Sequence, residues 1–162
     1  MRSMRFTLFC ALLFAGADVA AQSANATLSA SVTPMARLSF STNSLAFADA
    51  DPDLVPLVPA TSGPVVITAK ARAARDEVIT LTVQASDDLR SGLDMLPASL
   101  ITWTGSGPGF VNGTLSAAAP QIVASWVGSG TRTGSQSFFF TNRWTHPSGI
   151  YTVTLVFTLT AP

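Results

Sequence analysis

The stretch that decides the fold is residues 151–162, YTVTLVFTLTAP. Apolar or aromatic side chains occupy every second position from Tyr151 to Leu159, and four of the five residues that alternate with them up to Thr160 are threonine, with Val156 as the exception. A period of two is typical of a β-strand with one face on a hydrophobic core and the other toward water. Because β-branched and aromatic residues also suit a pleated sheet, we expect this tail to be a sheet member on which the fold depends.

Similar strand patterns recur along the chain, separated by glycine-, proline- and asparagine-rich turns at intervals of about ten residues. The alternating runs 65–72 and 77–86 are joined by a short polar loop and predict a β-hairpin. The dipeptide Asn112-Gly113 predicts a second, tight hairpin. The predicted fold class is therefore all-β: an immunoglobulin-like Greek-key β-sandwich of about seven to nine strands. A closed barrel is the alternative.

Residues 1–21 have the features of a secretory signal peptide. Two arginines precede an apolar run at 6–17, and small residues follow, which places the cleavage between Ala21 and Gln22. The run is shorter than the ~20 residues that span a bilayer, so we expect a signal helix rather than an anchor. The prediction is a single β-sandwich domain at 22–162, with no further membrane span, that is secreted, periplasmic or at the cell surface.

Charge and cysteine content exclude several classes of protein. The sequence has nine Lys and Arg against nine Asp and Glu, without a basic cluster of the kind that binds phosphate backbones, so no nucleic-acid partner is expected. The only cysteine, Cys10, lies in the predicted signal peptide, which leaves the exported chain without a disulfide. Charged residues make up 11% of the sequence, so strand edges that charge would normally protect are expected to be covered or used.

Few residues carry catalytic or metal-binding chemistry. His146 is the single histidine and has no carboxylate close to it in sequence, whereas a hydrolytic site needs a base beside a nucleophile. We therefore expect no enzyme and no cofactor. Asp49, Asp51 and Asp53 could converge on a calcium ion because they alternate, although Asp and Pro are also ordinary loop residues. A solvated turn is the expected state, and calcium is the speculative one.

The tail resembles the C-terminal motif of WxL domains. The resemblance rests on Tyr151, Leu155, Phe157, Leu159 and the final Ala-Pro ending at Pro162, with Phe157 in the place where that family usually has tryptophan. WxL domains are secreted β-sandwich modules of bacterial surfaces that associate non-covalently with the cell wall. Together with the predicted signal peptide, the predicted sandwich and the missing catalytic set, this resemblance favours a non-catalytic surface module that binds cell-envelope material or a protein partner.

The chain also looks like small secreted pilin-like sandwiches of bacterial envelopes. Such proteins share an N-terminal strand rich in Ala, Thr and Ser, here residues 24–33, and a C-terminal Gly-x-Tyr strand, here Gly149-Ile-Tyr151. This resemblance implies an alternative function, a structural subunit of a surface fibre or pilus. The alternating run 24–33 would then complete a neighbour's sheet by edge addition, so self-association is possible. Pairing of the same run within its own domain is the competing expectation.

Overall fold

The structure, a computed structural model, describes residues 27–162, and Val32–Pro162 form one compact unit. The predicted signal helix and the Ala21–Gln22 cleavage site lie outside the described residues. None of the helical segments within 27–162 has the length and hydropathy to cross a bilayer. The described chain is all-β, as predicted, and its only helical element is a single 3₁₀ turn at Ala98–Leu100.

Eleven strands are present in the described chain, more than the seven to nine expected, because four of them are only two or three residues long. In chain order the strands are β1 (Met35–Phe40), β2 (Leu57–Pro59), β3 (Val65–Arg72), β4 (Val78–Ala85), β5 (Leu89–Ser91), β6 (Asp94–Leu96), β7 (Ile101–Ser106), β8 (Gly113–Thr114), β9 (Gln121–Val127), β10 (Gly130–Thr141) and β11 (Leu155–Thr160).

These strands form three antiparallel sheets. The larger sheet has the order β1-β3-β10-β7-β8, with β2 also paired to β10. The smaller sheet has the order β11-β4-β9, and β5 and β6 form a separate two-stranded ribbon. This arrangement confirms the all-β class, whereas the immunoglobulin-like Greek-key assignment stays a prediction.

One hydrophobic cluster contains buried side chains from both sheets. Alternate residues of β3 and β4 supply its centre, since burial follows the period of two predicted from their sequences. Trp103 in β7 and Trp126 in β9 are 2% and 7% exposed, as expected for core aromatics. The two sheets are thus held together by side chains that the strand pattern directs to one side.

The predicted hairpin of residues 65–72 and 77–86 is wrong. β3 pairs with β1 and β10, and β4 pairs with β9 and β11, so the loop between β3 and β4 passes from one sheet to the other. Both strands still direct their apolar side chains into the same core. An alternating pattern fits a strand whether the next strand lies beside it or faces it across the core, which is why the sequence did not distinguish the two.

The tight hairpin predicted at Asn112-Gly113 is also wrong. Gly113 belongs to β8, which pairs with β7 rather than with its own neighbouring residues. A Cβ atom at Gly113 would lie 2.7 Å from Cε2 of the buried Trp103, so glycine is required here by close packing. The Oδ1 atom of Asn112 accepts a hydrogen bond of 2.8 Å from the Gly105 N–H, which fixes the side chain to β7.

The alternating run 24–33 is not a strand over the part that the structure describes. Residues 27–33 have no regular secondary structure and are exposed, and the first strand begins at Met35. Pro34 precedes that strand and has no N–H to donate to a sheet, which accounts for the boundary. Residues 27–33, the described part of the predicted first strand, are therefore outside the sheets of the structure.

Candidate functional site

Two strands lie at sheet edges next to each other. Among the described residues, β1 pairs only with β3 at the edge of the larger sheet, and β11 pairs only with β4 at the edge of the smaller one. A strand paired on one side directs the backbone N–H and C=O of every second residue away from its partner. The free edges of β1 and β11 therefore present unpaired backbone groups that another strand could bind.

The side chains of β11 that face the core are only partly buried. Leu155, Phe157 and Leu159 are half-buried, whereas the corresponding residues of the adjacent β4 are 0–1% exposed. The same alternation continues outside the strand, to Tyr151 before it and to Ala161 after it. The residues that carry the resemblance to the WxL motif thus form one row along the edge of the core, with Pro162 exposed just beyond it.

The wall opposite β11 is formed by β1. Its core-facing residues Leu38 and Phe40 are also incompletely covered, and Phe40 is 37% exposed. The rings of Phe40 and Phe157 lie with their centroids 4.8 Å apart and their planes tilted by 57°, a favourable geometry for an aromatic pair. We call this edge of the core, formed by Leu38, Phe40, Leu155, Phe157 and Leu159, the open margin.

The edge strand β11 contains none of the usual protections against pairing with another chain. Its sequence, LVFTLT, has no charged residue, proline or glycine. Natural sheets protect free edges with lysine, proline, bulges or inward-pointing charges. The other edge strand, β1, has a single charge at Arg37, which lies on the outer face of the sheet. β11 therefore has the composition of a central strand although it lies at an edge.

Charged side chains are separated between the two ends of the strands. The end where β3 turns into β4 has five cations against two carboxylates: Arg37, Lys70, Arg72, Arg75 and Arg132 against Asp76 and Glu77. The opposite end has six carboxylates against two cations: Asp49, Asp51, Asp53, Asp87, Asp88 and Asp94 against Arg90 and Arg143. We call these the basic end and the acidic end.

Few of these charges are paired within the described chain. The one ion pair found among residues 27–162 joins Arg90 Nε to Asp87 Oδ2 at 2.8 Å, on the acidic end. The hydrogen bond from Arg90 lowers the pKa of Asp87 and raises the pKa of Arg90. The cations of the basic end have no carboxylate within ion-pairing distance among the described residues. Arg132 lies over the Trp126 ring, 5.9 Å from its centroid, and the other four cations are exposed.

The three aspartates considered for calcium lie in the loop between β1 and β2. The Oδ1 atom of Asp51 accepts a hydrogen bond of 2.9 Å from the Asp53 N–H, an arrangement that stabilises a turn. Within residues 27–162 no group of three or more His, Cys, Asp or Glu side chains is placed to hold a metal ion. The structure thus shows Asp51 and Asp53 in a turn, and calcium binding with Asp49 stays a hypothesis.

His146 and Trp144 lie in the loop between β10 and β11. The His146 ring packs against the Phe140 ring, with 5.7 Å between their centroids. The Nδ1 atom of His146 is buried and has no hydrogen-bond partner in the described structure. Burial and then the charge of Arg143 lower the pKa of His146, which favours its neutral form. Trp144 is 69% exposed, whereas the other tryptophans of residues 27–162, Trp103 and Trp126, are buried.

No protein-family model, curated protein sequence or solved structure matches the chain. The open margin and the charge separation therefore provide the evidence on function. The sequence predicted the residues of β11 and indicated that weakly charged strand edges are covered or used, but it located neither the open margin nor the charge separation. The open margin was indicated by the uncharged composition of the edge strand. The charge separation depends on which loops the topology brings to the same end.

Proposed function

We propose that the protein is a non-catalytic β-sandwich subunit that assembles by strand addition. The segment 24–33 of one copy pairs with the free edge of β11 in a second copy and covers its open margin. The observation that carries the proposal is the half-buried apolar row of β11 at an unpaired, unprotected edge. Main-chain hydrogen bonds would supply affinity, and alternate side chains would supply specificity.

The segment 24–33 has the sequence pattern required of the added strand. Ala26, Leu28, Ala30 and Val32 alternate with small polar residues, so they share one face of an extended chain. That face is apolar, and it would lie over the core-facing row of β11. The described part of the segment, residues 27–33, is exposed and forms no strand, so its backbone groups are available for a sheet.

The apolar area left at the margin gives assembly a driving force. Burial of apolar surface stabilises by about 25 cal/mol per Å², and covering a half-exposed Leu or Phe contributes about 1 kcal/mol. Several such residues line β11 and β1, and one added strand would cover those of β11 together. In the absence of a partner the same edge is an aggregation hazard, which few charges in this sequence oppose.

The added segment gives a direct test with a matched control. Leu28→Asp places a charge on the apolar face of 24–33, and Ser29→Asp places the same charge on the other face one residue later. Protein expressed from the whole sequence and exported would be examined by sedimentation velocity and negative-stain microscopy. We expect wild type and Ser29→Asp to assemble and Leu28→Asp to remain monomeric.

Two results would oppose the proposal. Wild-type protein that stays monomeric at all concentrations excludes self-assembly by strand addition. A Leu28→Asp monomer that unfolds more readily than a wild-type monomer would show instead that residues 24–33 pair within their own domain. Localisation is tested on the same material, because a signal peptide at 1–21 predicts that mass spectrometry finds a mature chain beginning at Gln22.

A further inference from the structure

We infer that assembly is polar and head to tail, with the basic end of one copy placed on the acidic end of the next. The inference rests on the proposed strand addition and adds the partner surfaces and their direction. Two independent observations carry it: the separation of charge between the ends, and the end from which the added segment leaves the molecule.

The charge separation makes the two ends complementary. Five cations stand against two carboxylates at the basic end, and six carboxylates stand against two cations at the acidic end. Charges screened over about 8 Å at physiological salt act only when surfaces approach closely. Two basic ends or two acidic ends would repel at that distance, whereas a basic end and an acidic end would attract.

The basic end also contains like charges in direct opposition. Arg37 of β1 and Lys70 of β3 are cross-strand partners on the outer face of the larger sheet, and Arg72 follows two residues along. Like charges at such positions destabilise a sheet. An anionic surface brought close to them would offset that repulsion, and the acidic end of a second copy is such a surface.

The added segment leaves the molecule at the basic end. Val32, Thr33 and Pro34 line a shallow pocket with Arg72 and the loop that follows it, beside Pro162. In a head-to-tail stack the segment therefore leaves the basic end of one copy and meets the acidic end of the next. The loops between β1 and β2 and after β4 form that acidic end.

The direction of β11 agrees with this arrangement. β11 begins at Leu155 opposite Ala85, at the acidic end, and finishes at Thr160 opposite Thr80, toward the basic end. A segment that enters from a neighbouring copy at the acidic end has its C-terminal residue there and its N-terminal residue toward the basic end. Its N- to C-terminal direction is therefore opposite to that of β11. It would therefore be antiparallel to β11, as are all the paired strands in the described chain. Folding back onto its own β11 would instead make the segment parallel.

Charge reversal with complementation tests the inference. One variant carries Arg72→Glu and Arg75→Glu on the basic end, and the other carries Asp49→Lys and Asp53→Lys on the acidic end. All four residues are exposed, and their side chains form no ion pair among the described residues. We expect each variant alone to assemble about tenfold more slowly than wild type at low salt. A one-to-one mixture should assemble faster than either variant alone, because the unchanged basic end of one variant meets the unchanged acidic end of the other.

The outcomes separate this inference from the proposal on which it rests. A wild type that never assembles removes the strand-addition proposal itself. Strand-dependent assembly with no effect of either double variant, or a mixture as slow as its components, overturns the polar arrangement and leaves strand addition standing. Melting curves of each variant accompany the assay, and recovery in the mixture shows that both variants remain folded.

Discussion

The matched pair Leu81→Ala and Leu159→Ala tests whether the edge of the core is open. These two leucines are direct partners across the β4–β11 pair, face the same side and differ chiefly in burial. Leu81 is 0% exposed at the centre of the cluster, whereas Leu159 is partly exposed in the open margin. A difference between the two truncations therefore reports chiefly how far each side chain is covered, because the residue type and the face of the sheet are the same.

The expected costs follow from burial. Truncation of a fully buried leucine removes its transfer free energy and leaves a cavity, at a cost of about 3–5 kcal/mol for Leu81→Ala. At Leu159 part of the side chain already contacts water and solvent can fill the space left behind. Only part of the transfer free energy of the side chain is lost there, so we expect Leu159→Ala to lower the free energy of unfolding by about 1–2 kcal/mol. The difference between the two variants is then about 2 kcal/mol.

Urea unfolding of the monomer measures both costs. The Leu28→Asp background keeps the protein monomeric under the strand-addition proposal, and its midpoint and slope give the free energy of unfolding. Equal costs for the two truncations would refute the reasoning, because Leu159 would then be as fully covered as Leu81. On the wild-type background the proposal further requires Leu159→Ala to weaken assembly more than Leu81→Ala does, at matched fractions of folded protein.

Three further predictions concern the core and one loop. Gly113→Ala should cost about 1–3 kcal/mol because its Cβ meets the Trp103 ring, while Gly130→Ala should change stability by less than about 0.5 kcal/mol, both by urea unfolding. The free energy of unfolding should fall as the pH drops below about 6.5, because the unfolded chain then takes up a proton that the partly buried His146 ring resists. The urea midpoint of His146→Gln should fall less over the same pH range. Gln136→Met should raise the unfolding free energy by about 1–2 kcal/mol, since both amide atoms are buried without a partner in the described chain; a lower midpoint would contradict this.

The strands of the chain were predictable because a local period of two in the sequence indicates them. The alternation of residues 151–160 appears in the structure as alternating burial along β11 and the residues before it, and the patterns of β3 and β4 do the same. The position of Trp103 in the core was predictable as well, since a large aromatic inside a strand run has no other place to be buried.

The pairing of strands was not predictable from the same patterns. The alternation of apolar and polar residues indicates which side chains share a face of the sheet. It does not indicate which strand lies beside another. The loop at residues 73–77 is short and polar in either case, so a hairpin and a crossing between sheets look alike in sequence. The charge separation was missed for the same reason, because Asp49 and Asp94 come to one end only through the order of the strands.

The half-buried state of β11 lies outside what sequence periodicity reports. Alternation predicts which side chains face the core, whereas the extent of their burial depends on whether a neighbouring strand covers them. Leu159 and Leu81 have the same pattern around them and different burial, since β4 has a partner on each side and β11 has one. Composition was the accessible clue, because an uncharged strand at an edge is unusual unless that edge is to be covered.

Strand addition and charge separation would act on different properties of one assembly. An apolar, hydrogen-bonded strand supplies affinity, but its alternating pattern of small residues discriminates poorly between registers and between directions of approach. Charge on the two ends discriminates between approaches before the strand is inserted, because unlike ends attract and like ends repel.

Raising salt should therefore slow the assembly of wild type far more than it accelerates disassembly, since screening acts on the encounter and leaves the buried strand pairing largely unaffected. Equal effects of salt on the two rates, measured by light scattering during growth and after dilution, would show that charge does not guide the encounter.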